Sequence, residues 1–115
     1  MTDKGWIGVD LDGTLAHYDG WKGTDHIGAP VPRMVERVHQ WLSEGYEVRI
    51  MTARACRADE HEIRIIQDWA EEHIGFRLAV TNCKDYAMVQ LWDDRAVQVI
   101  PNTGIALARP KEPEQ

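Results

Sequence analysis

The sequence predicts an α/β fold in which strands and helices alternate around a mostly parallel sheet. Two observations lead to this expectation. Short apolar segments typical of buried strands are separated by segments whose apolar residues recur at helical spacing. Polar residues follow several of the apolar segments at the end where parallel sheets place their ligands. Parallel strands need crossover connections, and helices in these connections would cover both faces, which predicts three layers.

The first half of the chain predicts two strands with a helix between them. The first strand is "WIGVDLD", a short apolar run that ends at a turn signal. From Val31 onward apolar residues recur at helical spacing, with Pro32 in the first turn and Gly45 as a C-terminal stop. The segment "YEVRIMTA", from Tyr46 to Ala53, is the second strand.

The second half predicts a second helix and three further strands. Asp59 is the expected N-cap, Glu62 completes a pattern like a capping box, and Gly75 ends the helix. Ile63, Ile66, Ala70 and Ile74 should form its buried face. "RLAVT" (77–81), "VQLWDD" (89–94) and "AVQVI" (96–100) are strands three to five, and one or two helical turns are an option for "KDYAMV".

Length and charge narrow the class of protein. The 115 residues suit one domain, expected over 1–107, followed by a polar, Pro-rich tail over 108–115. The net charge of −6 argues against strong non-specific binding to nucleic acid, which relies on Lys and Arg. No apolar run is long enough to span a bilayer and no signal peptide is evident, so we expect a cytoplasmic protein without membrane contact. Its two cysteines, Cys56 and Cys83, are expected to be free thiols.

Polar side chains follow four of the predicted strands, and we expect them on one rim of the sheet: Asp10 and Asp12, Thr52, Lys84, and the pair Asp93 and Asp94. Clustered carboxylates repel unless a cation or a proton holds them together, and hard oxygen ligands suit Mg²⁺. A cation, a lysine and a hydroxyl together can hold a phosphoryl group. A nearby carboxylate can attack phosphorus, and a second can transfer protons.

These residues also carry a resemblance. "DLDGTL", "RIMTAR", Lys84 and "LWDD", in this order at strand ends, resemble the haloacid-dehalogenase superfamily of phosphatases, over residues 7 to about 100. The longer segments around them look like small phosphatase-like proteins of bacteriophages and bacteria. The resemblance implies a Rossmann-like, three-layer sandwich with a central five-stranded sheet. It also implies a Mg²⁺-dependent phosphatase that works through an aspartyl phosphate.

The resemblance assigns a role to each matching residue. Asp10 is implied as the nucleophile and Asp12 as the general acid and base. The implied Mg²⁺ ligands are Asp10, the backbone carbonyl of Asp12, and Asp93, which Asp94 supports. Thr14 is implied to orient Asp10. The phosphoryl group would be held by Thr52, Lys84, Gly13 and Ala53.

The chain has no room for the cap domain of larger members of this superfamily. Residues 13–51 and 53–83 separate the three motifs, and each interval is largely used by a predicted helix. The site should therefore be open, which suits a large substrate or a homo-oligomer that closes the site. Beside it, residues 16–30 match the position of a flap hairpin, so Tyr18, Trp21 and Lys22, together with Arg54, are candidates for substrate contact. The substrate could be a nucleotide, a nucleic-acid end or a small phosphate ester.

Two other classes of function remain open at this point. A receiver-like signalling module also carries acids, a threonine, a lysine and Mg²⁺, but its acceptor aspartate lies at strand three, and "RLAVT" contains none. A catalytically silent relative that binds a partner is the second alternative. An assay with an aryl phosphate and Mg²⁺ separates an enzyme from either module.

Overall fold

The computed structural model describes residues 4–57 and 59–108, which form a parallel sheet of four strands in the order β3-β2-β1-β4. A 3₁₀-helix over Ala53–Arg57 follows β2. The remaining elements, in chain order, are β1 (Trp6–Val9), α1 (Pro32–Ser43), β2 (Glu47–Met51), α2 (Glu60–His73), β3 (Ala79–Thr81) and β4 (Met88–Trp92). The predicted α/β class with a parallel sheet is confirmed. Within the described residues, no helix is both long and apolar enough to cross a membrane.

The hydrophobic core lies on one face of the sheet. Register pairs Ile7 with Val48 and Val9 with Ile50, so these four side chains point to the same face, and all are buried. Both helices pack against them, α1 through Met34, Val38 and Trp41, and α2 through Ile66, Trp69 and Ala70. The strands β1, β2 and β3 advance in one direction across the sheet, and right-handed crossovers then place both connecting helices on the same side.

The opposite face of the sheet carries a polar and aromatic contact instead of a helix. The buried indole of Trp6 donates a hydrogen bond to Asp85 at 2.9 Å, and the guanidinium of Arg49 lies 4.4 Å from the Trp6 ring. Asp85 belongs to residues 82–87, the connection from β3 to β4, which contains no helix. The described residues therefore form two layers, and the predicted third layer is wrong because this connection is too short to hold a helix.

Both helices end where the sequence predicts. Helix α1 has Pro32 in its first turn, and Gly45, with a φ of 93°, lies just beyond its end. Helix α2 begins after Asp59, whose side chain accepts a hydrogen bond from the His61 amide at 2.8 Å. Gly75, with a φ of 94°, follows its C-cap, as glycine does at many helix ends.

Two predicted elements are wrong. Residues 96–100 do not join the sheet, so the described residues contain four strands and not five. The turn at Asn102, with a φ of 68°, folds the chain back, so that Ile100 and Leu107 pair locally with Ile105 and Gln98. Residues 84–89 form no helical turn, because the Asp85 side chain accepts from the Ala87 amide and fixes a tight turn. The predicted tail, apart from Ala108, lies outside the described residues.

Candidate active site

The carboxyl ends of the strands open into a cleft of about 1760 Å³. Loops after β1, β2, β3 and β4 contribute Asp10, Thr52, Asn82 and Asp93 to its lining. One wall comes from residues 18–24, and another from residues 95–98 together with Leu107 and Ala108. The expected convergence of polar residues at one rim is therefore present for three of the four strand ends by the residues that the sequence singled out, and at β3 by Asn82.

Three carboxylates meet at the bottom of this cleft, and we call Asp10, Asp93 and Asp94 the acid cluster. Each offers an oxygen atom that lies within 4.8 Å of the others. The backbone amide of Asp10 donates to the carbonyl of Trp92 at 2.8 Å, which joins the end of β1 to the end of β4. The parallel pairing of these two strands therefore holds the cluster together.

Burial and charge together favour a proton on Asp10. Burial is the main cause that raises the pKa of Asp10 to about 7, and a hydrogen bond with Asp94 follows. Repulsion from Asp93, Asp94 and Asp12 acts in the same direction. A cation in the acid cluster would oppose these causes, because it favours the charged form of every carboxylate that it contacts.

Gly13 and Thr14 position Asp94. Gly13 has a φ of 92°, and a Cβ atom there would lie 2.6 Å from an Asp94 carboxylate oxygen. The Thr14 hydroxyl donates to Asp94 Oδ1 at 3.2 Å and accepts from the Asp94 amide at 3.0 Å. The expectation that Thr14 orients Asp10 is therefore wrong, because both of these hydrogen bonds of its hydroxyl go to Asp94. Their effect is to lock the loop after β4 against the loop after β1.

Asp12 lies apart from the acid cluster, in a bidentate ion pair with Arg54. Arg54 Nε donates to Asp12 Oδ2 at 2.7 Å and Nη2 donates to Oδ1 at 2.9 Å. The Arg54 side chain is 8% exposed and that of Asp12 is 20% exposed. Partly buried bidentate pairs of this kind are strong and geometrically specific. Arg54, predicted as a candidate for substrate contact, is instead the partner of the predicted acid and base.

The same guanidinium holds the flap, which we define as residues 16–30. Arg54 donates to the carbonyl oxygens of Thr24 at 3.2 Å and His26 at 2.8 Å, and its Cζ lies 4.9 Å from the centre of the Trp21 ring. An antiparallel bridge between Ala16 and Pro30 closes the base of the flap, which has no strands of its own. A single side chain thus connects Asp12 to one wall of the cleft.

Thr52 and Ala53 occupy the cleft as predicted. Thr52 is 4% exposed, its amide donates to the Thr81 carbonyl at 2.9 Å, and its hydroxyl accepts from the Arg54 amide at 3.1 Å. Gly13, Tyr18 and Trp21 also line the cleft. The two predicted lysines do not line it. Lys84 is exposed, and Lys22 forms an ion pair with Asp19 at 3.1 Å.

Several residues of the cleft wall escaped the sequence-based predictions: Cys56, Glu62, Asn82, Arg95 and Gln98. Asn82 had a usable signal, because it follows directly on β3 and the rim rule applies to it. Arg95 and Gln98 had none, since they belong to the segment that was expected to form a fifth strand. Both cysteines are free and exposed, as expected.

Comparison with known proteins supports the fold alone. No protein-family model and no curated protein matches the chain. A solved structure described as a conserved protein coded by a locus of Bacteroides thetaiotaomicron is similar, with a TM-score of 0.63 and 20% sequence identity. The similarity covers 87% of this chain and 84% of that chain. At this identity it bears on the arrangement of strands and helices, so the functional argument depends on the residues of the cleft.

Proposed function

We propose that this protein is a Mg²⁺-dependent phosphatase of the haloacid-dehalogenase type, without a cap domain, in which Asp10 is the nucleophile. The observation that carries the proposal is the acid cluster at the bottom of an open cleft, where parallel strands end. Ligands of open α/β sheets bind at this edge. The motif "DLDGTL" and the threonine after β2 support it, because both contribute residues to the same cleft.

The residues of the acid cluster fit a divalent cation. Asp10 and Asp93 are half-buried and supply carboxylate oxygens, the hard ligands that Mg²⁺ prefers. Without a counter-charge, their mutual repulsion helps to raise the pKa of Asp10 to about 7. When bound there, a divalent cation offsets this charge and draws electron density from a phosphoryl oxygen. Asp94 is exposed and bound to Thr14, which makes it a support for the cluster.

The chemical steps proposed for Asp10 are a transfer and a hydrolysis. An ionised Asp10 oxygen forms a bond to phosphorus, and the ester P–O bond breaks with its electron pair on the leaving oxygen, which takes a proton. Water then attacks the acyl phosphate, the bond between phosphorus and the Asp10 oxygen breaks, and inorganic phosphate leaves. The buried Thr52 at the cleft and the backbone around Gly13 and Ala53 lie beside Asp10, where they can contact the phosphoryl oxygens.

Asp12 can transfer protons in this scheme only after its ion pair with Arg54 opens. Both Asp12 oxygens accept hydrogen bonds from the guanidinium, so neither is free to take a proton from water. A dianionic phosphate in the cleft would compete with Asp12 for the guanidinium, since Arg binds phosphate and carboxylate in the same forked geometry. Substrate binding would then free Asp12 at the moment when its proton transfer is needed.

A catalytically silent module that binds a cation is the second candidate. The bidentate pair of Asp12 with Arg54 favours it, because that pair occupies the carboxylate that turnover requires. The exposed position of Lys84 points in the same direction. Hydrolysis of an aryl phosphate in the presence of Mg²⁺ would exclude this candidate.

The decisive test compares Asp10→Asn with Asp12→Asn on p-nitrophenyl phosphate. Asp10→Asn should show no turnover and no covalent adduct. Asp12→Asn keeps the nucleophile and the good leaving group needs little protonation, but hydrolysis of the acyl phosphate loses its base, a loss of about 10²–10⁴-fold. A phosphorylated Asp12→Asn protein should accumulate and appear as a phosphate-sized mass increase on the peptide that contains Asp10.

The matched control is Asp25→Asn, since Asp25 is an exposed acid of the flap that does not line the cleft. This variant should turn over at the wild-type rate without any adduct. An adduct on Asp10→Asn, or wild-type turnover by Asp12→Asn, would contradict the assignment of the two aspartates. Absence of turnover by the wild type on every ester would favour the silent module.

A further inference from the structure

We infer that Trp21 forms a nucleobase subsite of the cleft and that the substrate is a nucleoside monophosphate. This inference rests on the proposed phosphatase function and adds the part of the substrate that the phosphate chemistry leaves open. Its basis is the placement of one aromatic ring that is exposed to the cleft and held in place at the same time.

Trp21 is fixed although its side chain is 58% exposed. The guanidinium of Arg54 covers one side of the indole at 4.9 Å, and Arg54 is itself bound by Asp12. A cation over a tryptophan face is a favourable contact that restrains the ring. The ring therefore presents its remaining surface to the cleft in an ordered position, and a ligand that stacks there needs little further ordering of the protein.

The other strongly exposed aromatic rings show what an ordinary surface position looks like. Tyr86 and Phe76 are 109% and 51% exposed, and neither lines the cleft. Isolated apolar side chains on a surface are common and need no function. Trp21 differs because it lies in the wall of the same cleft as Asp10 and is held by a charged side chain.

The rest of the cleft suits the base and sugar of a nucleotide. Tyr18 is a second aromatic residue of the wall, and Asn82 and Gln98 supply amide groups that can both donate and accept hydrogen bonds. A cleft of about 1760 Å³ is larger than a simple phosphate ester requires. The net charge of −6 and the acid cluster disfavour a long polyanion, so a mononucleotide fits better than a nucleic-acid end.

The experiment measures kcat and KM for adenosine 5′-phosphate, for glycerol 3-phosphate and for a 5′-phosphorylated oligonucleotide. Base stacking on an aromatic side chain predicts that Trp21→Leu lowers the preference for adenosine 5′-phosphate over glycerol 3-phosphate by about 5- to 150-fold, through KM. Trp21→Phe should restore part of this preference. Tyr86→Leu removes an exposed aromatic ring outside the cleft and should keep the full preference. Adenosine itself should bind to the wild type and not to Trp21→Leu in equilibrium dialysis.

The outcomes separate this inference from the proposed function. Phosphatase activity with the same preference in Trp21→Leu as in the wild type would overturn the nucleobase subsite and leave the phosphatase intact. A higher kcat/KM on the oligonucleotide than on adenosine 5′-phosphate would overturn the mononucleotide assignment. Trp21-dependent binding of adenosine without turnover of any ester would support the subsite while the phosphatase proposal fails. Trp21→Phe guards against misfolding, because it keeps an aromatic ring over Arg54.

Discussion

Replacing the proposed nucleophile by asparagine should stabilise the metal-free protein at neutral pH. The pKa of Asp10 is raised from 3.8 to about 7, mainly by burial and then by the hydrogen bond with Asp94 and by neighbouring charges. The folded protein thus binds this proton more tightly than the unfolded chain does. The resulting contribution to stability is complete below a pH of about 4 and is lost as the pH rises through about 7.

The size of the effect follows from the two pKa values. Their difference corresponds to at most about 4 kcal/mol, and solvent screening of the half-buried Asp10 reduces it to about 2 kcal/mol. In a domain of this size, about 2 kcal/mol shifts the melting temperature by roughly 8 °C. The asparagine side chain of the variant carries no charge at any pH and can still donate to Asp94. The Asp10→Asn variant should therefore be more stable than the wild type at pH 8 and about equally stable at pH 4.

Urea denaturation in the presence of a chelator, between pH 4 and pH 8, measures this difference. Asp25→Asn is the control, since it removes an exposed acid of the flap and should show no such dependence on pH. An Asp10→Asn protein that is less stable than the wild type at pH 8, or whose advantage is the same at pH 4 and pH 8, would refute the reasoning.

Three further predictions concern the cation, the flap and the exposed lysine. Mg²⁺ at 100 times its Kd should raise the free energy of unfolding by about 2.7 kcal/mol at pH 8. Gly13→Ala should lose most of this gain, because its Cβ displaces Asp94; an equal thermal shift in both proteins would argue against the acid cluster as the cation site. Arg54→Lys should cost about 2 kcal/mol in urea denaturation and increase proteolysis within the flap, since lysine lacks the planar fork; wild-type values for both would contradict the role of Arg54. Lys84→Ala should lower kcat/KM by more than about tenfold without a change of melting temperature, if its side chain reaches the phosphate; unchanged kinetics would remove Lys84 from the site.

Local sequence patterns predicted the helices and the first four strands well. The apolar spacing of α1, Pro32 and Gly45 are properties of one segment, and so are the cap at Asp59 and the stop at Gly75. The third layer and the fifth strand depend instead on which segments meet. Apolar alternation alone cannot show that residues 96–100 pair locally after the turn at Asn102.

The candidate site divides along the same line. The rim rule brought Asp10, Thr52 and Asp93 into one cleft, because the carboxyl ends of parallel strands meet at one edge. The partner of Asp12 could not be predicted in this way. Arg54 reaches it from the loop after β2, and nothing in the order of residues favours Asp12 over a phosphate as the group that it binds. Thr14 is a similar case, since its bond to Asp94 crosses between two loops.

The face of the sheet that carries no helix offers room for growth of the chain. Residues 82–87 run along this face from β3 to β4 and are anchored at Asp85 by Trp6. Closing a longer loop costs only about 0.6 kcal/mol for each doubling of its length. An insertion between Asn82 and Lys84 would leave the anchor at Asp85 in place and enter the chain where Asn82 lines the cleft. Engineered variants could therefore gain a lid at this point by lengthening a single connection, with the buried core on the other face untouched.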